Sequence, residues 1–247
     1  MSGRVGSITT DLVADGLVFN MDAANRASCI PSSNTTIAYN TVDLSVSGSF
    51  NDDVAYLGPP PSASCFTFDG VDDFIDIYDG ASGAGPYTFA ADQGFTISGW
   101  FKTPPGTFST ITNLVSFRGT ALIWPHITTN TNGRFSLYIR DDNSQVTQEN
   151  FAITETNTGN WVNFAGVRDV ATDKIYAYLD GINNDNYTTD GSTGAFTAFD
   201  KITLGNDNFS GGRYWFTGEI ANIQFYNRAL TSTEVLHNYN ALKGRFS

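Results

Sequence analysis

Basic residues are scarce in this chain. Lys and Arg together number 13 against 25 Asp and Glu in 247 residues, a net charge of −12. Nucleic acid and anionic membrane both require clustered cations, and the sequence holds no basic run, which argues against either as a partner. No apolar run is long enough to cross a bilayer. The first 15 residues lack both a basic n-region and an apolar h-region, so no signal peptide is expected and synthesis in a cytoplasm is. Histidine occurs only as His126 and His237, and no CxxC spacing is present, which leaves no zinc site to build. Cys29 and Cys65 are the only cysteines. They read as small buried hydrophobes, with a disulfide as the open alternative. Glutamate is confined to Glu149, Glu155, Glu219 and Glu234.

Helical periodicity is also nearly absent before residue 231. What is there instead is short alternation. Phe135, Leu137 and Ile139 alternate with Ser136, Tyr138 and Arg140, and Ile175, Ala177 and Leu179 with Tyr176, Tyr178 and Asp180. One face of each strand is therefore apolar and the other polar or aromatic. Such runs, punctuated by Gly, Asn and Asp turns, predict an all-β sandwich of one domain. The chain closes differently. Thr231 followed by Glu234 is a capping box, Leu230 and Val235 flank it as a hydrophobic staple, and Val235, Leu236, Tyr239 and Leu242 fall on one helical stripe, predicting a helix over 231–242.

Five ordered motifs carry a family resemblance. They are GLVFNMDAANRAS from Gly16, CFTFDGVDDFIDI from Cys65, FTISGWFK from Phe95, the pair NWVNFAGVRD and KIYAYLDG from Asn160 and Lys174, and a closing segment in which Phe216, Gly218, Ile220, Ile223 and Phe225 lead into Tyr226-Asn227-Arg228-Ala229-Leu230 and Glu234-Val235. This set resembles the laminin-G-like modules of the concanavalin A-like lectin/glucanase superfamily. The combination of D-A-x-N-R at Asp22–Arg26, Y-N-R-A-L at Tyr226–Leu230 and a terminal A-L-K-G-R-F at Ala241–Phe246 is most similar to members found in tailed-phage virion proteins. The resemblance implies a concanavalin A-like jelly-roll of two antiparallel sheets with a short C-terminal helix. It also implies a non-catalytic structural protein on the virion surface, displayed on head or tail, whose partners are other virion proteins or copies of itself. The alternative is a glycan-binding adhesin with polysaccharide as partner, and the third reading a glycoside hydrolase.

The superfamily's glucanases carry E-x-D-x-x-E, two carboxylates facing one groove. That motif does not occur here, nor does a G-x-S-x-G elbow, so no enzyme is expected. Laminin-G-like modules often hold calcium. The matching loop would begin at Asp43 and reach Asn51, but Ala221 stands where the family's final-strand Asp is expected, which disfavours the ion and leaves no cofactor.

Residues 1–14 are small and polar and read as an N-terminal arm contacting neighbouring chains, ahead of a domain spanning 15–247. Residues 24–64, with Gly58-Pro59-Pro60-Pro61, read as a long excursion around the sandwich rim. Glycan sites pair flat aromatic faces with a few hydrogen-bonding groups. Two sequence clusters fit: Trp124 with His126 and Arg118, and Arg213 with Tyr214 just after Asn206, Asp207 and Asn208. Trp100 and Trp161 read as core.

Overall fold

The computed structural model describes residues 12–30, 35–58, 64–79, 87–106, 111–118, 123–129, 135–151, 159–183, 186–197, 199, 201–207 and 214–246. In chain order the strands are β1 (Leu17–Asp22), β2 (Ile37–Tyr39), β3 (Val46–Asn51), β4 (Ala55–Leu57), β5 (Cys65–Asp69) and β6 (Phe74–Asp79). Then come β7 (Phe95–Lys102), β8 (Asn113–Arg118), β9 (Trp124–Thr129), β10 (Phe135–Arg140) and β11 (Val146–Asn150). The last are β12 (Trp161–Asp169), β13 (Lys174–Leu179), β14 (Tyr187–Thr189), β15 (Lys201–Leu204) and β16 (Thr217–Tyr226), followed by helix α1 (Ser232–Leu242) and a single 3₁₀ turn (Lys243–Arg245).

The strands form two antiparallel sheets. The first runs β14-β13-β12-β7-β16-β5-β4, with β1 also on β16; the second runs β11-β10-β9-β8-β15-β6-β3-β2. A register shift between Ile220 and Asn222 divides β16, so that its first half pairs with β5 and its second with β1 while β7 holds the other edge throughout.

The alternation read from sequence decides the layering. Phe95, Ile97 and Phe101 of the first sheet meet Phe117, Ile127, Leu137 and Ile139 of the second in one continuous core. Arg168 crosses this layer fully buried. Its guanidinium donates to Asp190 (2.6 Å) and to the carbonyls of Gln93 and Ala91 (3.0 Å each), so every direction of the fork has an acceptor. Cys29 and Cys65 are separate buried thiols, pushed by burial up to about 11 and about 12.

Three sequence readings need correction. The segment 24–64 is not a rim wrap: β2 and β3 join the second sheet and β4 edges the first. Gly48 of β3 sits where a Cβ would strike Ile75 and Met21, which is why a strand rich in Ser and Gly can lie so close to the core. Pro59, Pro60 and Pro61 lie outside the described residues. Trp100 is buried and Trp161 half-buried, but not between the sheets. They lie on the outer face of the first sheet, where Phe246 stacks on Trp100 at 4.1 Å and approaches Trp161 at 5.0 Å. Of the arm, residues 1–11 lie outside the described residues. Leu12 and Val13 already pack on the domain, and Val13 N–H donates to Asn238 Oδ1.

Helix α1 covers that same outer face. Thr231 is the N-cap, and its side chain accepts from Glu234 N–H while Glu234 accepts from Thr231 N–H. Leu230 and Val235 share a cluster with Ala165, Val167 and Tyr226. The stripe is shifted from the one read in sequence: Val235, Asn238 and Leu242 are buried, whereas Leu236 is 42% exposed. Asn238 replaces it inside because its amide donates to the buried Tyr226 hydroxyl (2.9 Å). Val235→Ala is therefore expected to lower the melting temperature more than Leu236→Ala, and equal shifts would show the helix docked by a different face.

Glu234 is also gripped by Arg228 through two hydrogen bonds, 2.7 and 3.0 Å. Arg228, then the Thr231 backbone, pull its carboxyl down from 4.5 to about 2. A depressed carboxyl contributes stability above its unfolded value and loses it as pH falls through the folded one. Glu234→Gln should lower the melting temperature at pH 7, and the gap to the parent chain should close between about pH 4.5 and 2. A gap that persists unchanged at pH 2 would assign the effect to something other than this charge.

Candidate functional site

The outer face of the second sheet, opposite α1, carries a pocket of about 350 Å³. Strand register builds it. Along β9, Ile127 points to the core, leaving Trp124, His126 and Thr128 outward. Cross-strand pairing then sets the rungs. Arg140 of β10 is opposite Trp124; Tyr138 of β10 and Ser116 of β8 are opposite His126; Gln148 of β11 is opposite Tyr138; Asn113 of β8 is opposite Thr128. Asp207 and Tyr214, which flank the 208–213 segment, complete the lining with Ile111, Thr129 and Arg118.

The sequence offered two unconnected clusters, and the fold brings their described members together. Trp124, His126 and Arg118 line the same pocket as Asp207 and Tyr214. Asn206 is fully buried, next to the lining rather than in it, and Asn208 and Arg213 lie outside the described residues. Trp215 is turned away, its ring tilted against Phe74. Sequence reasoning missed Asn113, Thr128, Tyr138 and Gln148 as lining residues, and Arg140 as the neighbour of Trp124 just outside the lining. The alternation of β10 marks Tyr138 and Arg140 as outward, but only the pairing register puts them beside His126 and Trp124.

The aromatic rings cluster around Trp124. Trp124 and His126 are 5.3 Å apart at 29°, and Trp124 and Tyr138 are 6.2 Å apart at 23°. Arg118 lies over the Trp124 ring at 4.3 Å and Arg140 at 5.3 Å. Arg118 and Asp207, with side chains only 5% and 1% exposed, form an ion pair at 3.7 Å. His126 Nε2 lies 3.1 Å from Ser116 Oγ, but Ser116 is fully buried beneath the imidazole, so its hydroxyl cannot meet a substrate carbonyl. Tyr214 holds φ at +58°, an uncommon conformation for an aromatic residue, while its carbonyl accepts from Asn113 N–H.

Several buried polar atoms here lack a partner. Among the described residues, neither Asn113 Oδ1 nor Nδ2 has a hydrogen bond although the residue is 1% exposed, and Trp124 Nε1 and Arg140 Nε are likewise unpaired. Asn206 shares this condition next to the pocket.

Among the described residues, the pocket holds no pair of carboxylates. Asp207 is the pocket's single carboxylate among the described residues. Glu149 accepts from Thr188, Glu219 pairs with Lys102, and Glu234 with Arg228, all elsewhere. Glu155 lies outside the described residues. The candidate calcium ligands do not converge. Asp43 caps its own turn, accepting from Ser45 N–H and Oγ, and Asn51 ends β3, so the two stand at opposite ends of a six-residue strand, roughly 17 Å or more apart. Among the described residues, the carboxylates that do cluster are Asp69, Asp72 and Asp73, with oxygens within 4.8 Å of one another, a set suited to a hard cation. Asp73 there accepts the N–H groups of Asp53 and Asp69, and burial pushes its carboxyl up.

The laminin-G family model of the concanavalin A-like lectin/glucanases superfamily matches residues 68–236, and the chain belongs to that family. Solved structures agree on the fold. The receptor-binding domain of botulinum neurotoxin D superposes with a TM-score of 0.68 at 11% identity, covering 92% of this chain and 52% of that one. The binding domain of botulinum neurotoxin serotype G gives 0.66 at 13%, covering 90% and 50%. The binding domain of Paraclostridial mosquitocidal protein 1 gives 0.67 at 13%, covering 92% and 52%. This chain thus spans about half the length of these neighbours. No curated protein matches the sequence.

Removing one member of the buried ion pair strands the other charge. Asp207→Asn is expected to cost about 3 kcal/mol in unfolding free energy. A denaturant midpoint unchanged by this substitution would show that Arg118 is neutralised by another group.

Proposed function

We propose that this chain is a non-catalytic, lectin-like binding module whose ligand is a glycan held on the outer face of the second sheet. The observation that carries the reading is the convergence at one pocket of a cluster of flat rings, Trp124, His126 and Tyr138, with hydrogen-bonding groups drawn from separate parts of the chain, Asn113, Gln148, Arg118, Asp207 and Tyr214. Sugar rings present apolar C–H faces and dense hydroxyls, and such a surface matches both. That Asp207, held by Arg118, is the one carboxylate lining the pocket among the described residues supports binding without hydrolysis, since a glycosidase needs two positioned carboxyl groups. Binding of this kind requires no metal, because side-chain donors and rings do the recognition. The neighbouring folds are binding domains of toxins, which supports reading this fold too as a surface for recognition.

The particle-associated role is the second reading. It rests on the combination of Asp22–Arg26, Tyr226–Leu230 and Ala241–Phe246, which resembles virion proteins of tailed phages. On that reading the module is displayed on the virion surface, held by other virion proteins or copies of itself, with its pocket outward. The two roles are compatible, since a displayed module that binds polysaccharide is an adhesin.

Trp124→Ala and Tyr138→Ala should each weaken glycan binding at least about tenfold, the loss of ~1.4 kcal/mol, while the protein stays folded. Trp161→Ala, on the opposite face, should not. A glycan array with each purified variant decides it: retention of all signals by Trp124→Ala and Tyr138→Ala would rule out this pocket.

A further inference from the structure

We propose that the pocket selects acidic glycans, and that Arg140, beside its Trp124 end rather than in its lining, reads a sugar carboxylate or sulfate. This rests on the pocket being the glycan site and adds the class of sugar it takes.

The first observation is the polarity of the unpaired atoms. Around the pocket, among the described residues, Asn113 Nδ2, Asn206 Nδ2, Trp124 Nε1 and Arg140 Nε are buried donors without acceptors, against two unpaired acceptors, Asn113 Oδ1 and Asn206 Oδ1. A neutral sugar offers hydroxyls that donate as readily as they accept. A carboxylate or sulfate only accepts, and so fits a site with donors in excess.

The second observation is charge. The chain carries −12 overall, and its own field repels anions. Yet Trp124 is flanked by two guanidiniums, Arg118 at 4.3 Å and Arg140 at 5.3 Å from its ring. Asp207 offsets Arg118, whereas Arg140 has no ion pair among the described residues. Among the described residues the Arg140 charge is therefore not offset, and it stands beside the Trp124 ring with its Nε lacking an acceptor; a guanidinium can meet an oxyanion with two parallel donors. Arg118 in turn is locked to the pocket wall by Asp207, so it preorganises the ring rather than competing for the ligand.

The third observation is length. From Trp124 to Thr128 the pocket runs along four residues of β9, about 13 Å. Asn113 lies opposite Thr128 and Arg140 opposite Trp124, so the two unpaired groups stand at opposite ends. The acidic group is read at one end, and ring hydroxyls meet Tyr138, Gln148 and finally Asn113 toward the other.

The test uses the full chain on a printed array carrying neutral, carboxylated and sulfated oligosaccharides, with the methyl ester or desulfated form of each acidic one. The expected hits are acidic glycans. Each should lose at least about tenfold when its charge is masked, and about tenfold again in Arg140→Gln, with the melting temperature held and salt dependence reduced. Neutral glycans binding as tightly as their acidic partners, in a manner abolished by Trp124→Ala, would overturn the acidic class and leave the site standing. Acidic hits indifferent to Arg140→Gln would overturn the assignment to Arg140. Binding that survives both Trp124→Ala and Tyr138→Ala, or the absence of any bound glycan, would overturn the site and the sugar class together.

Discussion

Burial of apolar side chains between the two sheets sets the direction of every other residue in the strands. Each buried Phe, Leu or Ile contributes on the order of 2 kcal/mol of transfer free energy, and a slip of one residue would turn a whole strand's set into water. Phe117, Ile127, Leu137 and Ile139 are therefore held inward. Their neighbours Arg118, His126, Tyr138 and Arg140 have no choice but the outer face. The pocket is what that constraint leaves over, a row of rungs whose identities follow from the core pairing beneath them.

The two faces of the sandwich are finished in different ways. On the first sheet the outer face is closed by α1, whose Leu242, Tyr239 and the following Phe246 cover Trp100. On the second sheet the outer face carries rings and hydrogen-bonding groups and stays open as a pocket. The same contrast appears in the buried charges. Arg168 reaches Asp190 and two backbone carbonyls and is a closed structural knot. At the pocket, Asn113, Trp124 and Arg140 keep buried polar atoms unpaired among the described residues. An unmet buried donor costs roughly 1–3 kcal/mol. The first sheet carries the same cost at Trp100 Nε1 and Asn222 Nδ2, so it is the open pocket with its rings, and not the unpaired atoms alone, that marks the second face as the functional one.

Much of the architecture is legible in local patterns. Alternation of period two on β10 and β13 reports a sandwich because sheet pleating puts successive side chains on opposite faces. The Thr231–Glu234 box and its staple report a helix start because they satisfy backbone groups within one turn. Both signals are short-range, so a single sequence carries them. The errors arise where the deciding partner is distant in sequence. Leu236 and Asn238 compete for the buried side of α1, and the winner depends on the Tyr226 hydroxyl in the neighbouring strand. Residues 24–64 look like a rim loop because their strands are short and rich in Ser, Gly and Asn. Pairing of β3 with β6 and of β4 with β5 makes them sheet edges instead.

The site divides in the same way. The sequence by itself determined the chemistry available: aromatic residues and Asn, Asp and Arg in two clusters, one around Trp124 and one around Tyr214, with too few glutamates for a paired-carboxylate active strand. It also determined which residues of a strand share a face, since that follows from parity wherever no bulge intervenes. Tertiary structure alone decided that the two clusters share one pocket, that Tyr138 joins them with Arg140 alongside Trp124, and that Asp207 is held by Arg118. It decided too that Trp100 and Trp161 belong to the opposite face. Those outcomes depend on strand register and sheet order, which are set by non-local packing of the core, and no local pattern in the chain encodes a contact between residues 118 and 207.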